Sequence, residues 1–265
     1  MGISEIVKDS LRYPFSDWKK ILVLGFIIMI SSLSYIFIRY GHNLTNVLDF
    51  LVIGIIIGLL VEGYLFRIIK SSLNGMEKLP KFKRWNMMFK DGFKVIIINT
   101  IYSIPAILIV LIAMAVYIAS NPVFINYIIL FLLSSGPVDT ALELIRISNH
   151  TTWHILLYLV PLYILIIYPI IKIAVATMAD NDSKLKSAFK IKSIFNKIGN
   201  IGWINLLKWY ITTFVIYFIL FIIGEVILSL IFGSNMVGKL LLYLIIAPYL
   251  IIFVNRSTAL IYTSK

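Results

Sequence analysis

The sequence predicts an all-α, polytopic transmembrane helix bundle of about six spans, built as three parallel repeats of an interfacial amphipathic helix plus a helical hairpin. Three observations predict it. The 265 residues are 60% hydrophobic, with mean hydropathy +0.97. Soluble domains sit at roughly 45–50% apolar, and one core of this size cannot bury the excess, so part of it faces lipid. Stretches such as Ile21–Ile38 and Val95–Ile118 each exceed the ~18 apolar residues that mark a spanning helix. Finally, one threading of the chain places 21 of the 24 Lys and Arg residues on a single side.

The first unit covers residues 1–70. It opens on a short segment in which Ile3, Ile6, Val7 and Leu11 share a helical face, with Glu5, Lys8, Asp9 and Arg12 off it. That composition suits a helix lying at the headgroups. The first span is Trp18–Ile38, too long for a cleavable signal and with no small-residue cleavage site before a soluble domain. Ser31, Ser32 and Ser34 are its polar spots, suited to hydrogen bonds between helices. The second span is Asn46–Ile69. Asp49 stands near its N-terminus, where an acid suits the helix dipole. Gly54, Gly58 and Glu62 follow at helical spacing on one face, and Gly54–Gly58 is a GxxxG pattern that lets a second helix approach closely.

The second unit covers residues 71–180, with an outer insertion at 121–150. Trp85, Met88, Phe89 and Phe93 align opposite Arg84, Asn86, Lys90, Asp91 and Lys94. The third span is Lys94–Ala119, with Asn99, Thr100 and Ser103 inside it and a kink expected at Pro105. Within the insertion, Pro122–Leu133 is apolar but about 12 residues, or ~18 Å of helix, too short for a ~30 Å core. The segment Pro137–Ser148 carries Asp139, Glu143 and Arg146 on one face. The insertion therefore reads as a re-entrant piece or an interfacial hairpin. The fourth span is Thr152–Met178, with Pro161 and Pro169.

The third unit covers residues 181–265. Leu185, Ala188, Phe189, Phe195 and Ile198 align, with Lys184, Lys186, Lys190 and Lys197 elsewhere. Asn181 or Asp182 is the expected N-cap and Gly199 the expected stop. The fifth span is Trp203–Phe232 and the sixth Lys239–Tyr262, which holds Pro248. Each returning span carries a cation near its inner end, Arg67, Lys172 and Arg256, expected to snorkel to the headgroups. The three units form one membrane domain over 1–265.

With the N-terminus in the cytoplasm, only Arg39, Arg146 and Lys239 fall outside. The enrichment of cytoplasmic loops in Lys and Arg therefore predicts a multi-pass cell-membrane protein with both termini cytoplasmic. Trp18, Trp85, Trp203 and Trp209 would form the inner aromatic belt, with Trp153 at the outer edge. The sequons at Asn43 and Asn149 fall outside, but the matching one at Asn181 falls inside, so they decide little. The net charge of +12 points to anionic lipid rather than nucleic acid. The chain has no Cys, which excludes disulfides, thiolate metal sites and Cys nucleophiles.

Candidate functional residues are few. Glu62, with Arg67 close by, and Glu225 are candidates for an intramembrane polar site, because a carboxylate at membrane depth needs a partner or water. Glu62 reads either as an ion or proton site or as an interface residue paired with Arg67 or another cation. Lys239 or Arg146 is the candidate partner of Glu225. Lys81, Lys83, Arg84, Lys90, Lys184, Lys186 and Lys190 are candidate lipid-headgroup contacts. His150 and His154 stand four apart, with His42, Asp139 and Glu143 as further outer-face groups. Zinc needs three or four converging ligands, so no metal site is assigned. Without HExxH, GxSxG or a phosphate-cradling glycine loop, no catalytic residue and no cofactor are expected.

Three stretches carry a family resemblance: Gly63-Tyr64-Leu65-Phe66-Arg67, Leu79-Pro80-Lys81-Phe82-Lys83-Arg84-Trp85, and Phe89-Lys90-Asp91-Gly92-Phe93-Lys94. With the opening Leu11-Arg12-Tyr13-Pro14-Phe15-Ser16-Asp17, they resemble an uncharacterised archaeal integral membrane family, domain of unknown function 4013. The likeness is clearest over about the first 110 residues. The family's segment before the tryptophan is usually acidic, whereas this one is basic. The resemblance implies an archaeal cell membrane and carries no activity with it. The expected function is a non-catalytic membrane protein engaging anionic lipid headgroups or a partner through a basic inner face. A homo-oligomer stays open, and the alternative is a small-solute or ion permeation protein.

Overall fold

The computed structural model describes residues 1–33, 44–120, 151–233 and 235–264. Among them there are helices and connections but no strand. They form two compact units, Met1–Asn99 with Pro169–Lys265, and Thr100–Tyr168.

In the larger unit, α1 is Ile3–Arg12, opened by the Glu5 carboxylate accepting the Gly2 N–H at 2.9 Å. A 3-10 turn at Tyr13–Ser16, with Pro14 in its first turn, leads to α2, Trp18–Ser31. Asp17 caps α2 by accepting the Lys20 backbone N–H at 3.3 Å, which satisfies a donor the helix start leaves orphaned. The long helices α3, Leu44–Leu73, and α4, Trp85–Ser120, are joined by an irregular connector at 74–84. The amphipathic segment expected before the third span is therefore the first turns of α4 itself. Helix α5 is Thr151–Asp180, and α4 and α5 each contribute residues to both units.

The third amphipathic segment differs from expectation. Asp182 and Ser183 take left-handed φ values of 53° and 60°, and the Ser183 N–H returns to the Met178 carbonyl at 3.0 Å. That six-to-one bond closes α5, so Asn181 and Asp182 end one helix instead of capping the next. A 3-10 turn at Leu185–Phe189 follows, then α6 at Ile191–Ile201. The helix runs past Gly199 and stops at Gly202, whose φ of 87° suits a residue without Cβ. Helix α7 is Trp203–Phe232 and α8 is Met236–Leu241, capped by Asn235 accepting the Gly238 N–H at 3.1 Å. A π turn at Leu242–Ile246 leads without a break into α9, Ala247–Thr263, with Pro248 in its first turn.

The described residues hold five helices long and apolar enough to cross a membrane: Val52–Leu73, Trp85–Val116, Pro161–Asp180, Trp203–Phe232 and Met236–Thr263. The described part of α2 is 14 residues, and residues 34–38 of the expected first span, Ser34 among them, lie outside the described residues, as do Arg39, His42 and Asn43. So does the expected insertion Asn121–His150, with Asp139, Glu143, Arg146 and His150. Trp153 and His154 lie in the first turn of α5.

Helix α9 is the hub of the larger unit. It packs against α1, α2, α3 and α7 and is buried almost throughout from Leu250 to Tyr262. Around it Ile21, Leu24, Tyr64, Ile68, Met88 and Ile252 form a continuous core. Helix α1 lays its apolar face inward, with Ile6 and Ser10 fully buried, so that face packs on protein. Trp209 is also buried, 1% exposed, instead of standing in the aromatic belt, whereas Trp18, Trp85 and Trp203 are exposed. In the smaller unit, Tyr163 donates to the Tyr102 carbonyl, and α4 continues through Pro105. Its apolar side chains, among them Ile104, Leu108, Leu111, Leu162 and Ile166, are exposed.

Close helix crossings are made by glycines. A Cβ at Gly63 would collide with the Met88 carbonyl and one at Gly92 with the Leu59 carbonyl, so α3 and α4 touch backbone to backbone. Gly25 of α2 sits equally tight on the Leu244 carbonyl inside the π turn. Gly58, half of the expected GxxxG contact, has nothing within 4 Å.

Candidate functional site

The connector at 74–84 forms no helix or strand, so its backbone groups need partners elsewhere. Side chains supply them. The Met76 carbonyl accepts from Arg256 Nη1 at 2.9 Å, Lys78 from the Tyr13 hydroxyl at 3.1 Å, and Leu79 from Lys20 Nζ at 2.7 Å. The Pro80 carbonyl accepts from the Tyr64 hydroxyl at 3.0 Å. Arg67 donates to the carbonyls of Lys83 and Arg84, the latter at 2.9 Å. The Tyr64 ring stacks on Phe82 at 4.0 Å, and Phe82 on Trp85 at 5.8 Å. Donors from the turn after α1 and from α2, α3 and α9 thus hold one strap of chain.

Arg256 anchors this arrangement. It is 5% exposed, and a bare guanidinium there would be costly. Asp9 accepts its Nε at 2.7 Å and its Nη2 at 3.2 Å, a bidentate pair. The same guanidinium lies over the Tyr13 ring, 4.5 Å from its centre. Arg256 is therefore enclosed by protein groups instead of reaching for headgroups. Beside it opens a cleft of about 360 Å³ lined by Glu5, Lys8, Arg12, Ser16 and Glu77 together with Asp9, Tyr13 and Arg256.

The segments that threading assigns to the inner side meet in this unit. The Tyr262 hydroxyl donates to Asp180 at 3.2 Å, and Lys197 lies over the Tyr262 ring at 4.4 Å. Lys70 donates to the Ser183 hydroxyl at 3.0 Å and Lys94 to its carbonyl at 2.9 Å. At the head of α2, the Lys20 ammonium sits 2.9 Å from Asp17. Its hydrogen bond holds the Asp17 carboxyl below the usual 3.8.

The candidate residues of the sequence do not form one cluster. Glu62 is half-buried on α3, and Lys172 of α5 is the charge that acts on it. Arg67 is engaged with the connector carbonyls. Glu225 pairs with Lys239, the first of its two expected partners. Lys81, Lys83, Arg84, Lys90, Lys184, Lys186 and Lys190 are all exposed, with Lys184 3.8 Å from Asp182. Near the first four, Trp85, Phe89 and Phe93 are exposed as well.

The three family-like stretches make the α3–α4 crossing and its strap, through Gly63, Tyr64, Arg67, Phe82, Trp85 and Gly92. The family model described as Protein of unknown function (DUF4013) matches residues 47–233 of the chain. The chain belongs to this family. The DUF4013 match takes in all three stretches and begins after the opening Leu11–Asp17. No curated protein and no solved structure matches the chain.

Asp9 and Arg256 lie 247 residues apart, and no local pattern links them. The Gly63 and Gly92 contacts also escape a search for GxxxG within one helix, because each helix supplies a single glycine. The cleft's charged groups are of both signs. Its described lining contains no His, Cys or paired nucleophile and base, so binding is the chemistry it suits.

Proposed function

We propose that this DUF4013 protein is a non-catalytic, multi-pass protein of an archaeal cell membrane that engages anionic lipid headgroups through a basic cytoplasmic face. The observation that carries the reading is the head of α4. Trp85, Phe89 and Phe93 are exposed there beside exposed Lys81, Lys83, Arg84 and Lys90, at the start of a helix long enough to span. Aromatic rings suit the acyl boundary, and each Lys or Arg near an anionic surface contributes about 1 kcal/mol. Both termini in the cytoplasm and the archaeal setting belong to this reading, the first argued from the charge distribution and the second from the resemblance carried by the stretches around Gly63–Arg67, Leu79–Trp85 and Phe89–Lys94.

The test is lipid retention. The full chain, reconstituted in an equal mixture of phosphatidylglycerol and phosphatidylcholine and then stripped with mild detergent, should retain phosphatidylglycerol preferentially. A variant with Lys81, Lys83, Arg84 and Lys90 all changed to Gln should lose the preference. Equal retention of the two lipids by the unaltered chain overturns the reading.

Glu62 supports a second reading, permeation of an ion or small solute, because it places a carboxylate within an apolar span under the influence of Lys172. Flux through reconstituted vesicles should then fall in Glu62→Gln. Unchanged flux removes Glu62 from the path.

A further inference from the structure

The cleft beside Arg256 joins a fixed part to three free charged side chains. Arg256 is already engaged, with three of its N–H groups donated to Asp9 and to the Met76 carbonyl. Glu77 sits between two pinned carbonyls, those of Met76 and Lys78, so its backbone position is set from both sides. The Ser16 oxygen accepts the Leu79 N–H at 3.3 Å, which leaves its hydroxyl proton to donate. Lys8 and Arg12 stand four apart on α1, so they share a face.

Three of the lining charges are uncommitted. Among the described residues, the side chains of Lys8, Arg12 and Glu77 have no hydrogen-bond or ion-pair partner, whereas Glu5 already holds the Gly2 N–H. The cleft thus offers two cations and a hydroxyl donor from the α1 side and one acid from the connector. A purely anionic guest would meet Glu77 and Glu5 uncompensated, and a purely cationic one would meet Lys8 and Arg12. A guest with both signs satisfies both walls. The volume, about 360 Å³, is at the small end of ligand sites.

We propose that this cleft binds a small zwitterion that carries a phosphate or carboxylate and an ammonium group. Lys8, Arg12 and the Ser16 hydroxyl hold the anionic end, and Glu77 holds the ammonium. The proposal goes beyond the headgroup reading and uses none of its residues. The guest is either a free metabolite-sized zwitterion or the head of a lipid, which share this chemistry.

The test is calorimetry on the full chain in detergent, with 2-aminoethyl phosphate, inorganic phosphate and ethanolamine as separate probes. Aminoethyl phosphate should bind about tenfold more tightly than either single-charge probe. Arg12→Ala should weaken it about fivefold and Glu77→Gln about tenfold, so that Glu77→Gln abolishes the preference over phosphate. Both side chains are exposed, so unchanged melting is the check that both variants fold. Lys81→Gln should leave binding unchanged, which separates this site from the headgroup face. Phosphate binding as tightly as aminoethyl phosphate, no saturable binding, or insensitivity to either variant overturns the proposal. The same titration in nanodiscs names the source. Occlusion by phosphatidylethanolamine but not by phosphatidylglycerol identifies a lipid head, and equal binding in both identifies a free zwitterion; both results uphold the site.

Discussion

At Arg256 a cation 5% exposed is matched by one carboxylate, one carbonyl and one ring face. Removing one partner of such a pair leaves a charge without compensation. Asp9 keeps 36% of its side chain exposed, so water softens the loss. Asp9→Ala should therefore destabilise the protein by about 2 kcal/mol, below the ~3–5 kcal/mol of a fully buried pair that loses one partner. Thermal melting in detergent checks this, and Arg256→Met with Asp9→Leu should melt higher than Asp9→Ala. The Thr213 hydroxyl is buried and has no hydrogen-bond partner among the described residues. Thr213→Val keeps the shape and removes the orphaned group, so it should raise stability by about 1 kcal/mol. A lower melting point would show that the hydroxyl has a partner. That Glu62 is a carboxylate within an apolar span was legible in the sequence. The engagement of Arg67 with the Lys83 and Arg84 carbonyls was not, because backbone acceptors carry no residue signature.

Among the elements, the α3–α4 crossing depends on two glycines. Gly63→Ala and Gly92→Ala would each drive a Cβ into a carbonyl of the partner helix, so both should prevent normal folding. Gly58→Ala meets nothing and should gain up to about 1 kcal/mol from helix propensity. Yield of monodisperse protein on size exclusion, with melting, distinguishes the three. At the head of α2, Asp17→Ala should cost about 1 kcal/mol as a lost cap. Because the Asp17 carboxyl titrates below 3.8 in the folded chain, its contribution is present above that value and is lost as pH falls through the lowered one. The melting difference between the unaltered chain and Asp17→Ala should hence be constant near neutrality and shrink in strong acid. Helix α7 matches the span read from hydropathy, Trp203–Phe232, because length and apolarity suffice to define it. The start of α6 differs from expectation because Asn181 and Asp182 look like caps for the next helix, whereas the left-handed backbone of Asp182 and Ser183 closes the previous one.

For the whole molecule, hydrogen bonds group segments that lie far apart in the chain. Residues 9–20, the connector, Asp180–Ser183 and the end of α9 are tied together by hydrogen bonds. They are the segments that charge asymmetry assigns to one compartment. The chain has no Cys, so Lys81→Cys introduces a single label site. In intact cells an impermeant maleimide should leave it unlabelled, and permeabilisation should expose it. Labelling from outside would reverse the orientation.

What the sequence determined alone is the class of the molecule: helical, apolar over spanning lengths, and strongly basic. Each of these properties sums over many residues or repeats at short range, so it survives without coordinates. Only the tertiary structure decided that Arg256 meets Asp9, that single glycines on α3 and α4 share one crossing, and that a charged cleft opens beside the connector. Those features join residues far apart in the chain through unique geometry, and hydropathy and spacing hold no record of which distant groups converge.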